Sequence, residues 1–310
     1  MNINLLNYVK HIIFNLILFC SLILAITSLY HRYYPIDYRQ NINQTNFIFA
    51  EAIDHMSYQQ IISKLDNLHK SSKKIDFIKR TNVIYANNIH YTWPDDIDGK
   101  NLITISLFDN WILNLSSHFD TILVKLGLQS KDTNIFNRFE SFKYHRALGR
   151  GFGICSQNAL GISDLLKQRY NINSLLVGLD GHVVVEVPEQ DEINEKFIID
   201  PSYGVSLPYS IKNAYSARDD VLRIYEESKL FKLYPDAEEY DKKKIELVET
   251  YNLEGNTRAV SFGSSSYAVP HYKLNLIKYY EIIADYLVIL IPMCLILLKA
   301  INNKKNVVAT

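Results

Sequence analysis

The sequence has few cysteines and no excess of positive or negative charge, and both features exclude classes of function. Lysine plus arginine equals aspartate plus glutamate, at 33 each, so the basic excess typical of proteins that bind a nucleic acid backbone is missing. Only three of the 310 residues are cysteine, and neither a paired CxxC nor an HExxH motif occurs. We therefore expect no nucleic acid partner, no metal site and no cofactor.

Charged residues are absent from one long stretch near the start of the chain. Residues 12–30 are dominated by Ile, Leu and Phe, and this run is long enough to cross a bilayer. A cleaved signal peptide is the alternative, although the run is long and lacks a clear small-x-small cleavage site. We predict a retained transmembrane helix over residues 11–30.

A second apolar segment, residues 279–298, has Glu281 and Asp285 in its first two turns. A buried or surface helix is the alternative for this segment. Acidic side chains near the end of a span reach the headgroup region, however, and Pro292 is tolerated inside a bilayer helix. We predict a second transmembrane helix here.

The residues that flank the two segments predict their orientation. Tyrosines that resemble interfacial aromatic belts follow the first segment and enter the second: they are Tyr30, Tyr33, Tyr34, Tyr279, Tyr280 and Tyr286. Lysines lie at the other two ends, namely Lys10, Lys299, Lys304 and Lys305, whereas Arg32 and Lys278 count against the same bias. The pattern favours a two-pass protein of the cytoplasmic (inner) membrane, with both termini in the cytoplasm and residues 31–278 outside.

Cys155 is the only cysteine outside the two apolar segments, and it stands in the sequence GRGFGICSQNALGISDLLKQRY, residues 149–170. An apolar stripe after it and Asn171 as a stop signal predict a helix that begins at Cys155. The positive end of a helix dipole favours thiolate over thiol. The preceding glycines are expected to keep side-chain bulk away from the sulfur. The alternative is a cysteine that serves as a small buried hydrophobic residue.

A histidine and a carboxylate follow in a predicted antiparallel hairpin. We predict strands at His182–Val187 and Phe197–Asp200, joined by a polar loop. With Val187 opposite Glu195, His182 falls opposite Asp200, and Glu186 faces Lys196, so unlike charges meet. The alternatives are a hairpin-turn role for His182 and an Asp-Pro turn at Asp200. His145 is a rival base, although a surface or core role suits it better.

The segments GICSQNA, GHVVVEV and IIDPSYGV, within about Arg146 to Val205, resemble the core of the transglutaminase-like, papain-related cysteine superfamily over about a fifth of the chain. Together with the two apolar segments, they resemble a bacterial membrane-anchored member of that superfamily. The resemblance implies an α+β fold in which the cysteine-bearing helix packs on an antiparallel sheet, with added helices and two transmembrane helices. It also implies Cys155 as nucleophile, His182 as general acid and base, and Asp200 as orienting carboxylate. Many relatives have an aromatic residue where this chain has Val184, which bears on the shape of the substrate groove.

The resemblance further implies chemistry on an amide bond through a thioester, either acyl transfer or hydrolysis, with a peptide, protein or glycopeptide as substrate. The Cys155 backbone N–H is one expected oxyanion donor, and Gln157 or the backbone of the glycine run, including Gly153, is a candidate for the second. Tyr203 and Trp93 are candidates for lining the groove, with core packing as the alternative.

The competing interpretation is a catalytically silent module of the same fold. Such a module would bind or tether components of a cell-envelope or surface-polysaccharide assembly. The predicted organisation is the same for both interpretations: a cytoplasmic N-terminus (1–10), a transmembrane helix (11–30), a mostly helical extracytoplasmic region (31–140), the catalytic core (141–205), a helical extension and loop (206–278), a second transmembrane helix (279–298) and a cytoplasmic tail (299–310).

Overall fold

The computed structural model describes residues 3–37, 56–91, 106–128, 141, 143–179, 182–233, 240–242, 244, 251 and 271–308. The chain divides into two compact units. The first, called the helical unit, comprises Met1–Tyr34, Thr104–Asp132 and Tyr279–Thr310. The second, called the sheet unit, comprises Pro35–Ile103 and Thr133–Lys278. The predicted domain boundaries at 140 and 205 remain predictions.

Three described helices contribute to the helical unit: α1 (Ile3–Tyr33), α4 (Trp111–Lys125) and, from Tyr279 onwards, α9 (His271–Val308). Two stretches of α1 and α9, Tyr8–Tyr33 and Glu281–Ile301, are long and apolar enough to cross a membrane. Within these stretches only 6% and 22% of the residues are buried, so most of their apolar surface is exposed. Neither helix therefore has the burial expected of the core helix of a globular domain.

Polar contacts join α1 and α9 near both ends of their apolar stretches. Arg32 donates a hydrogen bond of 2.6 Å to the Asp285 carbonyl, and its guanidinium lies 3.5 Å from the Asp285 carboxylate. Lys299 donates a hydrogen bond of 2.9 Å to the Asn15 side chain. Arg32 follows Asn15 by seventeen positions, which correspond to about 26 Å of helix, close to the ~30 Å thickness of a bilayer core. The two helices thus run antiparallel with polar groups at either end of an apolar length.

The sheet unit is built on a four-stranded antiparallel sheet in the order β3-β4-β5-β6. Its strands are β3 (Leu175–Leu179), β4 (His182–Val187), β5 (Phe197–Asp200) and β6 (Val205–Leu207). Helix α6 (Cys155–Tyr170) packs against β3 and β4. The mixed helix and sheet architecture is confirmed, as are the limits of β4 and β5 and the start of α6 at Cys155. Asn171 ends α6 in the left-handed conformation, as predicted, with φ 53°.

The predicted pairing of β4 with β5 is wrong by two residues. Val187 faces Phe197 and Val185 faces Ile199, so the predicted opposition of Val187 to Glu195 does not occur. Glu186 faces Ile198 instead of Lys196, and its carboxylate accepts a hydrogen bond of 2.8 Å from the Ile211 backbone. In the same register His182 lies two residues along from the position opposite Asp200. Because the shift is even, both side chains remain on one face of the sheet.

The remaining elements of the sheet unit surround the sheet and α6. They are α2 (Tyr58–Ser71), α3 (Lys74–Ala86), β1 (His90–Tyr91), α5 (Tyr144–Arg150), β2 (Phe152–Gly153), α7 (Ile211–Ser216), α8 (Arg218–Glu227) and a 3-10 turn (Phe231–Leu233). The predicted apolar stripe of α6 is buried: Ala159, Ile162, Leu165 and Leu166 are fully covered. In the last turn of α6, Arg169 donates two hydrogen bonds, of 2.8 and 2.5 Å, to the Asp66 carboxylate of α2.

Asn82 of α3 ties that helix to the turn between β5 and β6. Its side-chain nitrogen donates to the backbone carbonyls of Asp200 (3.3 Å) and Val205 (2.7 Å), and the residue is fully buried. Asn82→Ala leaves two buried carbonyls without this donor, which costs about 1–3 kcal/mol of stability. We expect a lower thermal midpoint of the purified full chain. Val83→Ala, on the exposed face of the same helix, should change the midpoint little, and equal loss in both variants would contradict the assignment.

Candidate active site

Two glycines in the segment before Cys155 have a structural role. Gly151 ends α5 with φ 70°, a conformation that side chains disfavour. A Cβ atom on Gly153 would lie 2.7 Å from Gln157 Cγ and 2.8 Å from Asn158 Oδ1. The side chains nearest to Gly153 are therefore those of the first turn of α6. We expected Gly153 to keep side-chain bulk away from the sulfur of Cys155. Its absent side chain instead makes room for the side chains of Gln157 and Asn158.

His182 and Asp200 form a direct pair inside the sheet unit. The distance from His182 Nε2 to Asp200 Oδ2 is 2.7 Å. His182 opens β4 and Asp200 closes β5, so the two side chains meet diagonally on one face of the sheet. Only 8% of His182 is exposed, and none of Asp200. Water therefore screens this pair little.

Two further donors hold the Asp200 carboxylate. Ser202 donates its backbone N–H to Oδ1 at 2.8 Å, and Tyr225 of α8 donates its hydroxyl to Oδ2 at 2.6 Å. The Tyr251 hydroxyl lies 3.1 Å from that of Tyr225 and, since the Tyr225 proton points to Asp200, Tyr251 is the donor in this contact. Burial, then the Asp200 charge, raises the pKa of Tyr225 well above its ordinary value. Tyr225 thus stays protonated and keeps donating.

Tyr225 and Tyr251 were not among the predicted site residues. Both belong to residues 206–278, which the sequence presents as an extension of the core. The one sequence signal for Tyr225 is the amphipathic pattern of α8, in which it and Val221 are the buried residues. That pattern predicts burial and gives no indication of which carboxylate the hydroxyl meets.

Cys155 lies close enough to His182 to affect the pKa of the imidazole. Burial opposes a charge on His182, but the Asp200 charge, the Asp200 hydrogen bond and the contacts with Cys155 outweigh it and raise the pKa of His182 to about 10. Because Nε2 contacts Asp200, Nδ1 is the ring nitrogen that Asp200 does not engage. At neutral pH the imidazole is therefore a cation that contacts a carboxylate and lies close to Cys155.

Tyr203 packs over this cluster. Its ring lies 6.0 Å from that of His182 and meets the rings of Tyr225 and Phe231 edge to face at 5.6 and 5.7 Å. The residue predicted to line a groove thus belongs to an aromatic group behind the histidine, and it is mostly buried. Its contacts fix the plane of the imidazole as well as the position of Tyr225.

The other predicted site residues are placed as follows. Gln157, on the first turn of α6, uses its side-chain amide to bind the Ser141 backbone: Oε1 accepts from the Ser141 N–H, and Nε2 donates to the Ser141 carbonyl at 3.0 Å. Gly153 pairs with Tyr91 in a short parallel contact between β1 and β2. Trp93 lies outside the described residues.

Asn158, one residue after Gln157, is a further polar group at the start of α6. It is buried, and its side-chain oxygen and nitrogen have no hydrogen-bond partner among the described residues. Its side chain lies against Gly153, two residues before Cys155. No sequence signal favours Asn158 over Gln157 as a site residue.

Cys155, His182 and Asp200 therefore lie close together in this order, which is the arrangement that a nucleophile, a base and an orienting carboxylate require. Cys155 is the first residue of α6, where backbone N–H groups have no acceptor within the helix. Only 4% of Cys155 is exposed, so the sulfur is nearly enclosed. Within the part of the chain that the structure describes, no group of three or more His, Cys, Asp or Glu residues is arranged to hold a metal ion.

Comparisons with known proteins return no relative. No family model matches this chain, and no curated protein or solved structure matches it. The functional assignment therefore rests on the residues and geometry described above.

The raised pKa of His182 predicts a pH-dependent stability. Below about pH 6.5 the histidine is protonated in both the folded and the unfolded chain, and the favourable pairing is fully present. As the pH rises towards 10, the folded chain keeps a proton that the unfolded chain loses, so the pairing's contribution to stability declines and then disappears. We expect His182→Gln to lack this decline when thermal midpoints of the detergent-solubilised chain are measured between pH 6 and 10.

His118→Gln is the matched control, because His118 is exposed on α4. Its curve should run parallel to that of the unsubstituted chain. A constant difference between the unsubstituted chain and His182→Gln across the whole range would contradict the raised pKa.

Proposed function

We propose that this protein is a membrane-anchored cysteine acyltransferase or amidohydrolase with a transglutaminase-like core, which acts on an amide bond through a thioester. The observation that carries the proposal is the 2.7 Å contact between His182 and a fully buried Asp200, with Cys155 close enough to the imidazole to affect its pKa. A structural role alone does not require a cysteine at a helix start, beside a histidine whose charge a carboxylate maintains.

The reaction we propose uses these three residues in order. The Cys155 thiolate attacks the amide carbonyl carbon and forms a C–S bond. As the C–N bond breaks, the His182 imidazolium gives its proton to the leaving amine nitrogen. Water or a second amine then attacks the thioester and gives a proton to neutral His182, and the C–S bond breaks to restore the thiolate. Asp200 stays ionised and holds the imidazole through Nε2 throughout.

The oxyanion that forms on the carbonyl needs hydrogen-bond donors. The backbone N–H of Cys155 is one donor in this proposal, because it lies at the first position of α6. Asn158 is our candidate for the second, since its side-chain amide is buried without a partner among the described residues. The Gln157 amide is engaged with the Ser141 backbone, which favours a supporting role for it.

The location we propose is the cytoplasmic membrane, with α1 and α9 as two spans and the sheet unit on the extracytoplasmic side. The exposed apolar stretches of the two helices and the polar contacts that join them near both ends support the spans. The lysines beyond the Asn15–Lys299 end support a cytoplasmic position for that end. The substrate class then is a peptide, protein or glycopeptide of the cell envelope.

The central test is the reactivity of Cys155 towards a chloroacetamide probe. In the full chain with Cys20→Ala and Cys294→Ala, we expect mass spectrometry to find the adduct on Cys155 at pH 6. An ordinary thiol, with a pKa of about 8.5, is mostly unreactive there. His182→Gln removes the neighbouring cation, so alkylation should then rise only towards pH 8 to 9. Labelling of Cys155 with an ordinary thiol's pH profile, or no labelling at all, would defeat the enzymatic proposal.

Tyr225→Phe tests whether Tyr225 positions Asp200 and, through it, His182. The substitution keeps the ring but removes a hydrogen bond to a charged group, an interaction that contributes about 1.5–3 kcal/mol. We expect Cys155 alkylation at pH 6 to fall about tenfold, since about 1.4 kcal/mol corresponds to a factor of ten. Tyr215→Phe is the control, because the Tyr215 hydroxyl is buried without a partner among the described residues. Equal rates in both variants would rule out the positioning role.

A second candidate function is a non-catalytic module in a cell-envelope or surface-polysaccharide assembly. The near-complete burial of Cys155 favours it, because a substrate must reach the sulfur. In the native host, Cys155→Ser should leave such a module functional, whereas Tyr203→Ala should abolish function by disrupting the aromatic group. Loss of function with Cys155→Ser, in a chain that remains folded and membrane-bound, would exclude the module.

A further inference from the structure

Helix α4 carries a stripe of large apolar side chains that nothing in the described structure covers. Leu115, Phe119 and Ile122 of α4, and Leu126 directly after its last residue, are 53%, 63%, 52% and 66% exposed. Their spacing of four, three and four residues places them along one face. Leu113 lies on the opposite face and is buried, with Asn114 and Ser116 partly buried beside it. The buried side of α4 thus carries both apolar and polar residues, whereas its exposed side is apolar.

The start of α4 is fixed to one end of the α1–α9 pair. Trp111 donates its indole N–H to the Ala284 carbonyl of α9 at 3.2 Å. Phe108, just before the helix, stacks on His31 of α1 with ring centroids 6.4 Å apart. Both contacts lie next to the Arg32–Asp285 pair. Helix α4 therefore begins where the apolar stretches of α1 and α9 meet polar groups.

The length of α4 excludes a third span. Its 15 residues correspond to about 22 Å, shorter than the ~30 Å hydrocarbon core of a bilayer. A short helix with one exposed apolar face and a tryptophan at its start is typical of helices that lie in the membrane interface. Trp111 and Phe108 join the start of α4 to α9 and α1, whose apolar side chains are also largely exposed.

We propose that α4 lies along the membrane interface, with Leu115, Phe119, Ile122 and Leu126 in contact with lipid acyl chains. This inference rests on the proposed membrane anchoring by α1 and α9. It adds a third membrane contact, made by a segment of the chain that belongs to the helical unit although it interrupts the sequence of the sheet unit. The surface of the protein that contacts the membrane is thereby larger than that of the two spans alone.

The test uses nitroxide labels in the full chain, reconstituted in phospholipid nanodiscs, with Cys20, Cys155 and Cys294 replaced by Ala. A label at Phe119→Cys should collide with oxygen more often than with a water-soluble nickel chelate. Lys125→Cys is the matched control on the same helix, since Lys125 is exposed and lies about 100° round from Leu126. Its label should favour the nickel chelate at least severalfold more than the label at 119. Leu290→Cys, within the α9 span, is the reference for lipid exposure.

Three results would overturn the inference, and they differ in what else they exclude. If the label at 119 favours the nickel chelate while that at 290 favours oxygen, α4 lies in water and the anchoring stands. If the label at 119 meets neither reagent and shows spin–spin broadening, a second copy of the chain covers the stripe. If the label at 290 also favours the nickel chelate, the anchoring itself fails.

Discussion

The buried contact between His182 and Asp200 is the constraint that organises the sheet unit. A carboxylate with no exposed surface is costly unless donors satisfy it. Here three donors come from three parts of the chain: His182 from β4, Ser202 from the turn after β5, and Tyr225 from α8. Each donor needs its own support, and Tyr203 supplies some of it by packing between His182 and Tyr225. The position of α8 is therefore tied to the charge on Asp200.

The local elements around the site could be predicted from sequence, but their register could not. The limits of β4 and β5 follow from alternation and turn residues, and the two ends of α6 follow from its apolar stripe and the stop signal at Asn171. The register depended on pairing Glu186 with Lys196, which is a weak constraint because exposed ion pairs contribute little. The loop decides it instead: Ile193 is buried, and the Gln190 side-chain amide binds both backbone groups of Asn173, at 2.8 and 2.7 Å. These contacts draw two more residues into the loop than the predicted pairing allows.

The same shift explains why His182 and Asp200 were correctly brought together from a wrong register. A slip of two residues keeps every side chain on its face, and the diagonal separation of about 7–8 Å is within reach of an imidazole and a carboxylate. Tyr225, Tyr251 and Asn82 could not be found in this way. Tyr225 and Asn82 reach Asp200 from segments 25 and 118 residues away, and Tyr251 reaches Tyr225 from 26 residues away, so no local pattern specifies which helix face meets which strand end. Sequence periodicity predicts their burial and not their partners.

The contact between Arg32 and Asp285 bears on two weaknesses of the sequence-based membrane prediction. Asp285 is a poor residue for a span, and Arg32 opposes the positive-inside bias. Paired with each other, they bring no net charge to that end of the helices, so Asp285 has a partner and Arg32 no longer acts as an isolated positive charge. Lys299, at the other end, binds only the neutral Asn15 among the described side chains that it contacts. The ion pair thus explains how a carboxylate is accommodated in an apolar helix, whereas the prediction that the Asn15–Lys299 end is cytoplasmic still depends on the lysines and arginines of the sequence alone.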